Sequence, residues 1–403
     1  MAPFAAPIAV AAASFLMINR ARTNGLVRAR AGVTAIFFAN GLCIGAWAVA
    51  IPEIKALFGL TDARLSIVLL AAGVGGLSAM PVAGVLPSKI GGTGRTLRMS
   101  GPLMALLLAA VPQTHILSPG IGFLAACAFL FGFVNIVVDV PMNAHASVVE
   151  ARWGRAIMSS FHAAWSAGGL VGSAVGGLLI ARGAGPALQL GIEAGTAFAI
   201  MAAASLTIGV GDRRAAARIF ALPERKLMAL GLVAFLAVLV EGAVTDWSAL
   251  YMSSEVGAPS GMAAIGFSSY ALMMIAGRLL GDSVVRAIGR TRVILYGAAV
   301  LFVGVGLATG PVSEPTALIG FALVGLGVAN MVPAAFSASA AAASSPSLGI
   351  ATAATMAYAS LLVGPPLFGA IATVSSLRLA FAVLLLAAAG IAALTATQRD
   401  AGA

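Results

Sequence analysis

Charge is what this chain has least of. Only 9% of its 403 residues are Asp, Glu, Lys or Arg, where a soluble domain carries about 25%. A chain so poor in charge cannot cover itself with polar surface, which excludes a water-soluble globular domain. Histidine is scarcer still, at three residues, and cysteine rarer again, at two. Cys43 and Cys127 both sit in apolar runs, at a spacing that fits no metal motif. They read as small apolar packing groups, so neither a disulfide framework nor a metal site is expected. No nucleophile–base motif, phosphate-binding loop or His/Cys cluster is present, which argues against an enzyme and against any cofactor. An ATP-binding domain is missing too, so any work the protein does must draw on an ion or solute gradient.

What the chain has instead is apolar length. Hydrophobic residues make up 61% of it and the mean hydropathy is +1.05. Twelve apolar segments, with soft ends, cover 31–52, 63–84, 98–117, 120–143, 157–181, 186–209, 227–252, 262–281, 292–310, 315–337, 347–372 and 376–396. Each is close to the roughly 20 residues that a helix needs to cross the hydrocarbon core. Lipid leaves no partner for an unpaired backbone group, so these segments must be helices. Barrel strands would be half as long and would alternate in polarity, and these do not. The expected class is an all-α membrane protein with twelve transmembrane helices.

The net charge is +10, which in a soluble protein would raise nucleic-acid binding. Here the basic residues fall between apolar runs and report topology, so no nucleic-acid partner is expected. One set of connections holds eighteen of them: Arg20, Arg22, Arg28, Arg30, Lys89, Arg95, Arg98, Arg152, Arg155, Arg213, Arg214, Arg218, Arg225, Lys226, Arg286, Arg290, Arg292 and Arg399. The alternate set holds four, Lys55, Arg64, Arg182 and Arg378. The positive-inside rule puts the first set, with both termini, in the cytoplasm. The start, "MAPFAAPIAVAAASFLM", is too short for a span and has no basic residue ahead of its apolar part, so it is a poor signal peptide. Translation starting at Met17 would leave residues 1–16 outside the natural chain.

The longest interior connection, "GDRRAAARIFALPERK", divides the chain into two sets of six segments. The expected organisation is a cytoplasmic tail (1–30), a first six-helix bundle (31–210), a cytoplasmic linker (211–226) lying against the anionic inner leaflet, a second bundle (227–397) and a tail (398–403). The halves echo each other. Pro141 and Gly172 match Pro333 and Gly364 at an offset of 192, and Trp47 matches Trp247 at 200. Gly91 and Gly289, each closing the loop after an even-numbered segment, match at 198. Two parallel six-helix repeats are a known transporter plan.

With 6+6 segments and a basic central loop, residues 31–397 resemble the major facilitator superfamily. The loop between segments two and three, "GVLPSKIGGTGR", keeps Gly84, Lys89 and Gly91 of that family's motif but has Ser88 in place of its acid. The cognate loop, "GDSVVRAIGRTR", keeps Gly289 and Arg290 and has Arg286 at the acid position. Neither copy holds the family's usual gating acid–base pair. Arg278 and Asp282, four apart in segment eight, are a candidate substitute. Segment five, "AGGLVGSAVGG", looks like part of the antiporter motif, with Ser173 where a proline is usual. The arginine of many proton-coupled members is absent from segment four. The strings "MNAHASVVEARWGRAIMSSFHAAWSAGGLVGS" and "VEGAVTDWSALYM" look like the YbjJ-like bacterial inner-membrane subgroup.

The resemblance implies that segments one, four, seven and ten line a central cavity. Each carries a mid-segment polar residue: Asn40, Asn135, Glu241 and Asn330, the candidate substrate-binding set. Polar groups inside a membrane usually face the bundle interior. A structural role in interhelical hydrogen bonding is the competing reading for each asparagine. Asp139, one helical turn after Asn135 and on the same face, and Glu241 are candidates for proton coupling. His162 is a possible structural partner for Asp139. Asp246 and Trp247 read as an outer-layer pair, Glu193 as structural, His145 as a residue of the inner surface and His115 as inert. Pro141 bends or ends segment four, and Pro365 and Pro366 do so in segment eleven. With Gly172, which permits close packing, these are the candidate hinge and gating positions.

The function expected is secondary active transport of a small organic solute by rocking two bundles, coupled to protons, in a monomer of the bacterial inner membrane. Sugar or metabolite uptake and drug or metabolite efflux fit equally. Few aromatics and no second evident buried cation favour a neutral or polar solute, or a lipophilic cation drawn to Glu241 and Asp139. The alternative is a non-transporting receptor or scaffold that keeps a transporter fold.

Overall fold

The computed structural model describes residues 5–117, 120–154, 157–209, 227–259, 261–310, 313–343 and 346–400, leaving aside the side chains of 5–24, 159, 282, 346, 347 and 398–400. The expected linker, 211–226, lies outside the described residues, as does the end of the C-terminal tail. The described residues form fourteen helices. In chain order they are α1 (Ala5–Leu57), α2 (Asp62–Ile90), α3 (Thr93–Leu117), α4 (Ile121–Trp153), α5 (Met158–Ala181), α6 (Pro186–Ser205) and α7 (Met228–Ser254). Then follow α8 (Ala264–Ile288), α9 (Arg290–Thr309), α10 (Glu314–Val328), α11 (Met331–Ala342), α12 (Pro346–Val374), α13 (Leu377–Ala382) and α14 (Leu384–Asp400). Twelve stretches are long and apolar enough to span a bilayer, with α10 and α11 forming the tenth and α13 and α14 the twelfth.

Three boundaries differ from the apolar runs. The first span belongs to a helix already formed at Ala5, so the expected break between tail and bundle at residue 30 falls inside α1. The fourth helix does not end at Pro141 but continues to Trp153. Hydropathy falls where side chains leave the hydrocarbon, whereas a helix stops only where its backbone hydrogen bonds stop, here at Gly154, whose φ is 78°. The tenth span breaks between α10 and α11 at Ala329–Asn330.

Pro141 removes one amide donor and so frees the carbonyl of Val137. The Ser100 hydroxyl of α3 reaches that carbonyl at 3.4 Å, which lets α4 pass through its proline. The tight connection after α2 depends on Gly91 and Gly92, whose φ angles of 100° and 114° suit only glycine. The α4–α5 connection is clamped by Glu150, whose carboxylate accepts the amides of Ile157 and Met158 at 2.7 and 2.6 Å. An anion on the first amides of a helix also complements its dipole.

The packing repeats between the halves. In the first, α1 packs on α5 and α6, α2 on α4, and α3 on α4 and α6. In the second, α7 packs on α12 and α14, α8 on α10, and α9 on α10 and α14. Between the bundles, α2 meets α12, α5 meets α8, and α1 meets α7. Exchanging the halves turns the first of these contacts into the second and returns the third to itself. That is the behaviour of a pseudo-two-fold axis running between α1 and α7.

Small residues make these approaches possible. A Cβ on Gly168 of α5 would stand 1.9 Å from the carbonyl oxygen of Phe38, and one on Gly41 of α1 would stand 1.9 Å from that of Trp165. The α1–α5 pair is therefore packed backbone to backbone, as small-residue motifs allow in membranes. The helix ends define two faces. One carries Lys89, Arg95, Arg98, Arg152, Arg286, Arg290 and Arg292 and is called the basic face; the opposite face carries Lys55, Arg64, Arg182 and Arg378.

Candidate functional site

A cavity of about 230 Å³ lies between the two bundles at the pseudo-axis, walled by α1, α2, α4, α7 and α12. Its polar lining includes Asn135, Glu241, Asp246 and Ser360, and its aromatic lining includes Trp47 and Trp247. The two tryptophans are the pair matched at an offset of 200, so the repeat delivers one indole from each bundle to one space. Each is backed by a phenyl ring: Trp47 stacks on Phe131 at 5.5 Å and Trp247 on Phe368 at 6.0 Å.

Behind the cavity wall runs a chain of polar contacts. Asn40 is 2% exposed. Its amide nitrogen donates to Oδ1 of Asn135 at 3.0 Å and to the sulfur of Met104 at 3.3 Å. Its amide oxygen accepts the indole N–H of Trp165 at 2.7 Å. The guanidinium of Arg278 lies 5.8 Å from the Trp165 ring centroid, within cation–π range. It donates to Ser166 Oγ at 3.0 Å and stands 3.8 Å from the Glu241 carboxylate. The path Asn135–Asn40–Trp165–Arg278–Glu241 thus joins α4, α1, α5, α8 and α7.

Asp139 is on α4, beyond the cavity lining toward the basic face. Its Oδ2 accepts the hydroxyl of Tyr358 on α12 at 3.3 Å, and its Oδ1 faces the Asn143 amide, also at 3.3 Å. His162, the partner considered for it, instead stacks edge-on against Phe37 at 5.4 Å.

The sequence-derived candidates therefore fall into separate places. Asn40 and Asn135 touch each other, and Asn135 and Glu241 face one cavity. Asn330 sits at the α10–α11 break and gives its amide to the carbonyl of Gly277 on α8 at 2.8 Å, away from the cavity. Arg278 faces Glu241 and Ser166; the side chain of Asp282, its expected partner, lies outside the described residues. The side chain of Arg278 is 13% exposed. Pro141 lies within α4 and Gly172 on the α1–α5 seam, where a Cβ would stand 2.4 Å from the Leu42 carbonyl. Pro365 lines the cavity, and Pro366 follows it in α12.

Two further assignments change with the structure. Asp246, read as an outer-layer residue, lines the cavity together with Trp47 of the other bundle. His145 is buried rather than at a surface, with Nδ1 2.9 Å from the Thr93 hydroxyl. Tyr358 and Trp165 were missed altogether. One Tyr or Trp in an apolar run carries no signal until its partner is known.

Among the described residues, hydrogen bonds between the bundles lie from Asp139–Tyr358 toward the face opposite the basic one. The contacts between them include Ser173–Ser268 at 2.7 Å and Arg278–Ser166 at 3.0 Å. Gly73 lies against the carbonyl of Leu361, where an added Cβ would stand at 2.5 Å. That is the carbonyl freed by Pro365, four residues on. Among the described residues, no hydrogen bond between bundles lies nearer the basic face than Asp139–Tyr358.

Known proteins resemble this arrangement. No family model matches the chain. It is 35% identical over 365 residues to an uncharacterised MFS-type transporter of Yersinia pestis, a match covering 88% of this chain and 92% of that one. It is 33% identical over 369 residues to an uncharacterised transporter of Sinorhizobium fredii, covering 90% and 96%. Among solved structures, a point mutant of the nucleoside transporter NupG superposes with a TM-score of 0.73 at 12% identity, covering 91% of this chain and 98% of that one.

Proposed function

Because the chain belongs to the major facilitator superfamily, we propose that it is a secondary active transporter that carries a small organic solute across the bacterial inner membrane by alternating access, coupled to protons. The observation that carries the reading is the cavity itself. It sits on the pseudo-two-fold axis, takes walls from both bundles, and presents carboxylates and amides where lipid-facing helices have none. A substrate site at the repeat interface near mid-membrane is what a rocking pair of bundles requires.

Orientation follows from the basic face, which the positive-inside rule puts in the cytoplasm together with both termini. Among the described residues the hydrogen bonds between the bundles then lie from mid-membrane outward, which supports an inward-open reading. Proton coupling is assigned to Asp139 and Glu241. A carboxyl group in low dielectric exchanges its proton with its surroundings. Asp139 also bridges to the other bundle through Tyr358, so a change in its charge acts directly on a contact between the bundles. Asn40, Asn135 and Glu241 are assigned to the solute site. Asn330 holds α8 against the α10–α11 break on the C-terminal side. The protein is read as a monomer of the YbjJ-like subgroup, on the sequence strings given above.

Flux into proteoliposomes under an imposed pH gradient tests this. Gradient-driven accumulation of a solute is the expected result. If no solute from a panel of sugars, amino acids, nucleosides and amines crosses under either gradient polarity, the transport reading fails and a receptor-like role takes its place.

A further inference from the structure

We propose that the solute is a small organic cation, held by Asp246 and Glu241 in the cavity that Trp47 and Trp247 also line. The inference rests on the transporter reading of the same cavity and names the chemistry that the cavity selects. Two carboxyl groups line it, and none of the residues around it is basic. Arg278, a half-buried cation nearby, is outside the lining, and the acid it faces is Glu241, at 3.8 Å. Among the described residues, no basic group lies within salt-bridge distance of Asp246. The centre of the molecule therefore holds an uncompensated acid on the cavity wall.

The rest of the lining suits a cation as well. Trp47 lines the same cavity as Asp246 and adds apolar wall beside it. Tryptophan is the best aromatic partner for a cation, and here one comes from each bundle. Asn135 and Ser360 add neutral hydrogen-bonding groups. The volume of about 230 Å³ is below the roughly 300–1,000 Å³ of pockets for drug-sized ligands. That favours a compact ammonium compound over a large lipophilic one. Asp139, the other acid considered for this role, is turned toward Tyr358 and Asn143 and does not line the cavity.

The test uses purified full-length protein and matched probes: cyclohexylamine beside cyclohexanol and cyclohexanecarboxylate, and 2-aminoethanol beside ethylene glycol. Binding is read by tryptophan fluorescence and by thermal stabilisation. Each ammonium probe is expected to bind at least tenfold more tightly than its neutral partner, and the carboxylate not at all. Asp246→Asn should bring the ammonium and alcohol affinities together, while Asp246→Glu should keep them apart. An absence of ammonium preference in the wild-type protein overturns the proposal, as does a preference that survives both Asp246→Asn and Glu241→Gln. Ammonium binding without flux in proteoliposomes would sink the transporter reading and leave this one standing. Flux of neutral solutes without ammonium preference would do the reverse.

Discussion

Tyr358 on α12 gives its hydroxyl to Oδ2 of Asp139 on α4, 3.3 Å away, and so ties the second bundle to the first. It is the cross-bundle hydrogen bond nearest the basic face among the described residues. A carboxylate there accepts the phenol hydroxyl, whereas a carboxylic acid has a proton of its own to place, and the two states hold the tie differently. Asp139→Asn removes the exchangeable proton and leaves a side chain of the same shape. Gradient-driven accumulation is expected to fall at least tenfold while solute exchange persists. Tyr358→Phe keeps the proton and removes the tie, so accumulation should fall less. If Asp139→Asn accumulates solute like the wild type, the proton is carried elsewhere.

Arg278 and Glu241 form the second test. Arg278 stands between Glu241, 3.8 Å away in its own bundle, and Ser166, 3.0 Å away in the other. Arg278→Ala leaves Glu241 without its neighbouring cation, and losing a hydrogen bond to a charged group costs about 1.5–3 kcal/mol. The melting temperature in detergent should drop. Glu241→Gln added to Arg278→Ala should recover part of the loss, because the two residues share one interaction. Strictly additive destabilisation would show that the pair does not interact.

These two sites mark the limit of what the sequence revealed. The twelve spans, the repeat and the basic asymmetry were legible because each is a property of many residues, imposed by lipid. Asn40, Asn135 and Glu241 were legible because a polar residue stands out in an apolar run. Their partners were not. Arg278 pointed by helical spacing to Asp282, four residues on, but its described contacts lie on α5, 112 positions away in the chain, and on α7. Asn330 stands out as clearly as Asn135, yet it serves the α10–α11 break. Hydropathy cannot tell a polar residue that meets solute from one that ties two helices together, as Asn330 does to the Gly277 carbonyl. Asp246 was misplaced because depth was counted along the helix, while the cavity extends further toward the opposite face than mid-membrane.

The glycine seam gives a prediction about folding. Gly168 has Phe38 carbonyl oxygen where its Cβ would be, so Gly168→Leu must push α5 off α1. Overpacking of this kind costs about 1–3 kcal/mol or more, and the yield of monodisperse protein should collapse. Gly195 on α6 is exposed, with nothing within 4 Å of the same position. Gly195→Ala should be neutral or stabilising by up to about 1 kcal/mol, since alanine is the better helix former. Equal yields from the two variants, measured by size-exclusion chromatography, would remove the α1–α5 contact from the account of stability.

Ser173 on α5 and Ser268 on α8 bring their hydroxyls within 2.7 Å across the bundle interface, on the side where the bundles meet. In an inward-open state this contact is closed, and in an outward-open state α5 and α8 must separate there. A disulfide between Ser173→Cys and Ser268→Cys would forbid that separation. The native thiols, Cys43 and Cys127, are buried and can be replaced by alanine to give a clean background. Oxidation is then expected to form the crosslink in high yield, to abolish solute flux, and to leave solute binding from the basic face intact. Reduction should restore flux. The single-cysteine variants should transport with or without oxidant. Binding that survives while flux is lost distinguishes a locked transporter from an unfolded one. Full flux through quantitatively crosslinked protein would mean that α5 and α8 stay together throughout the cycle, and the rocking mechanism proposed for these two bundles would be wrong.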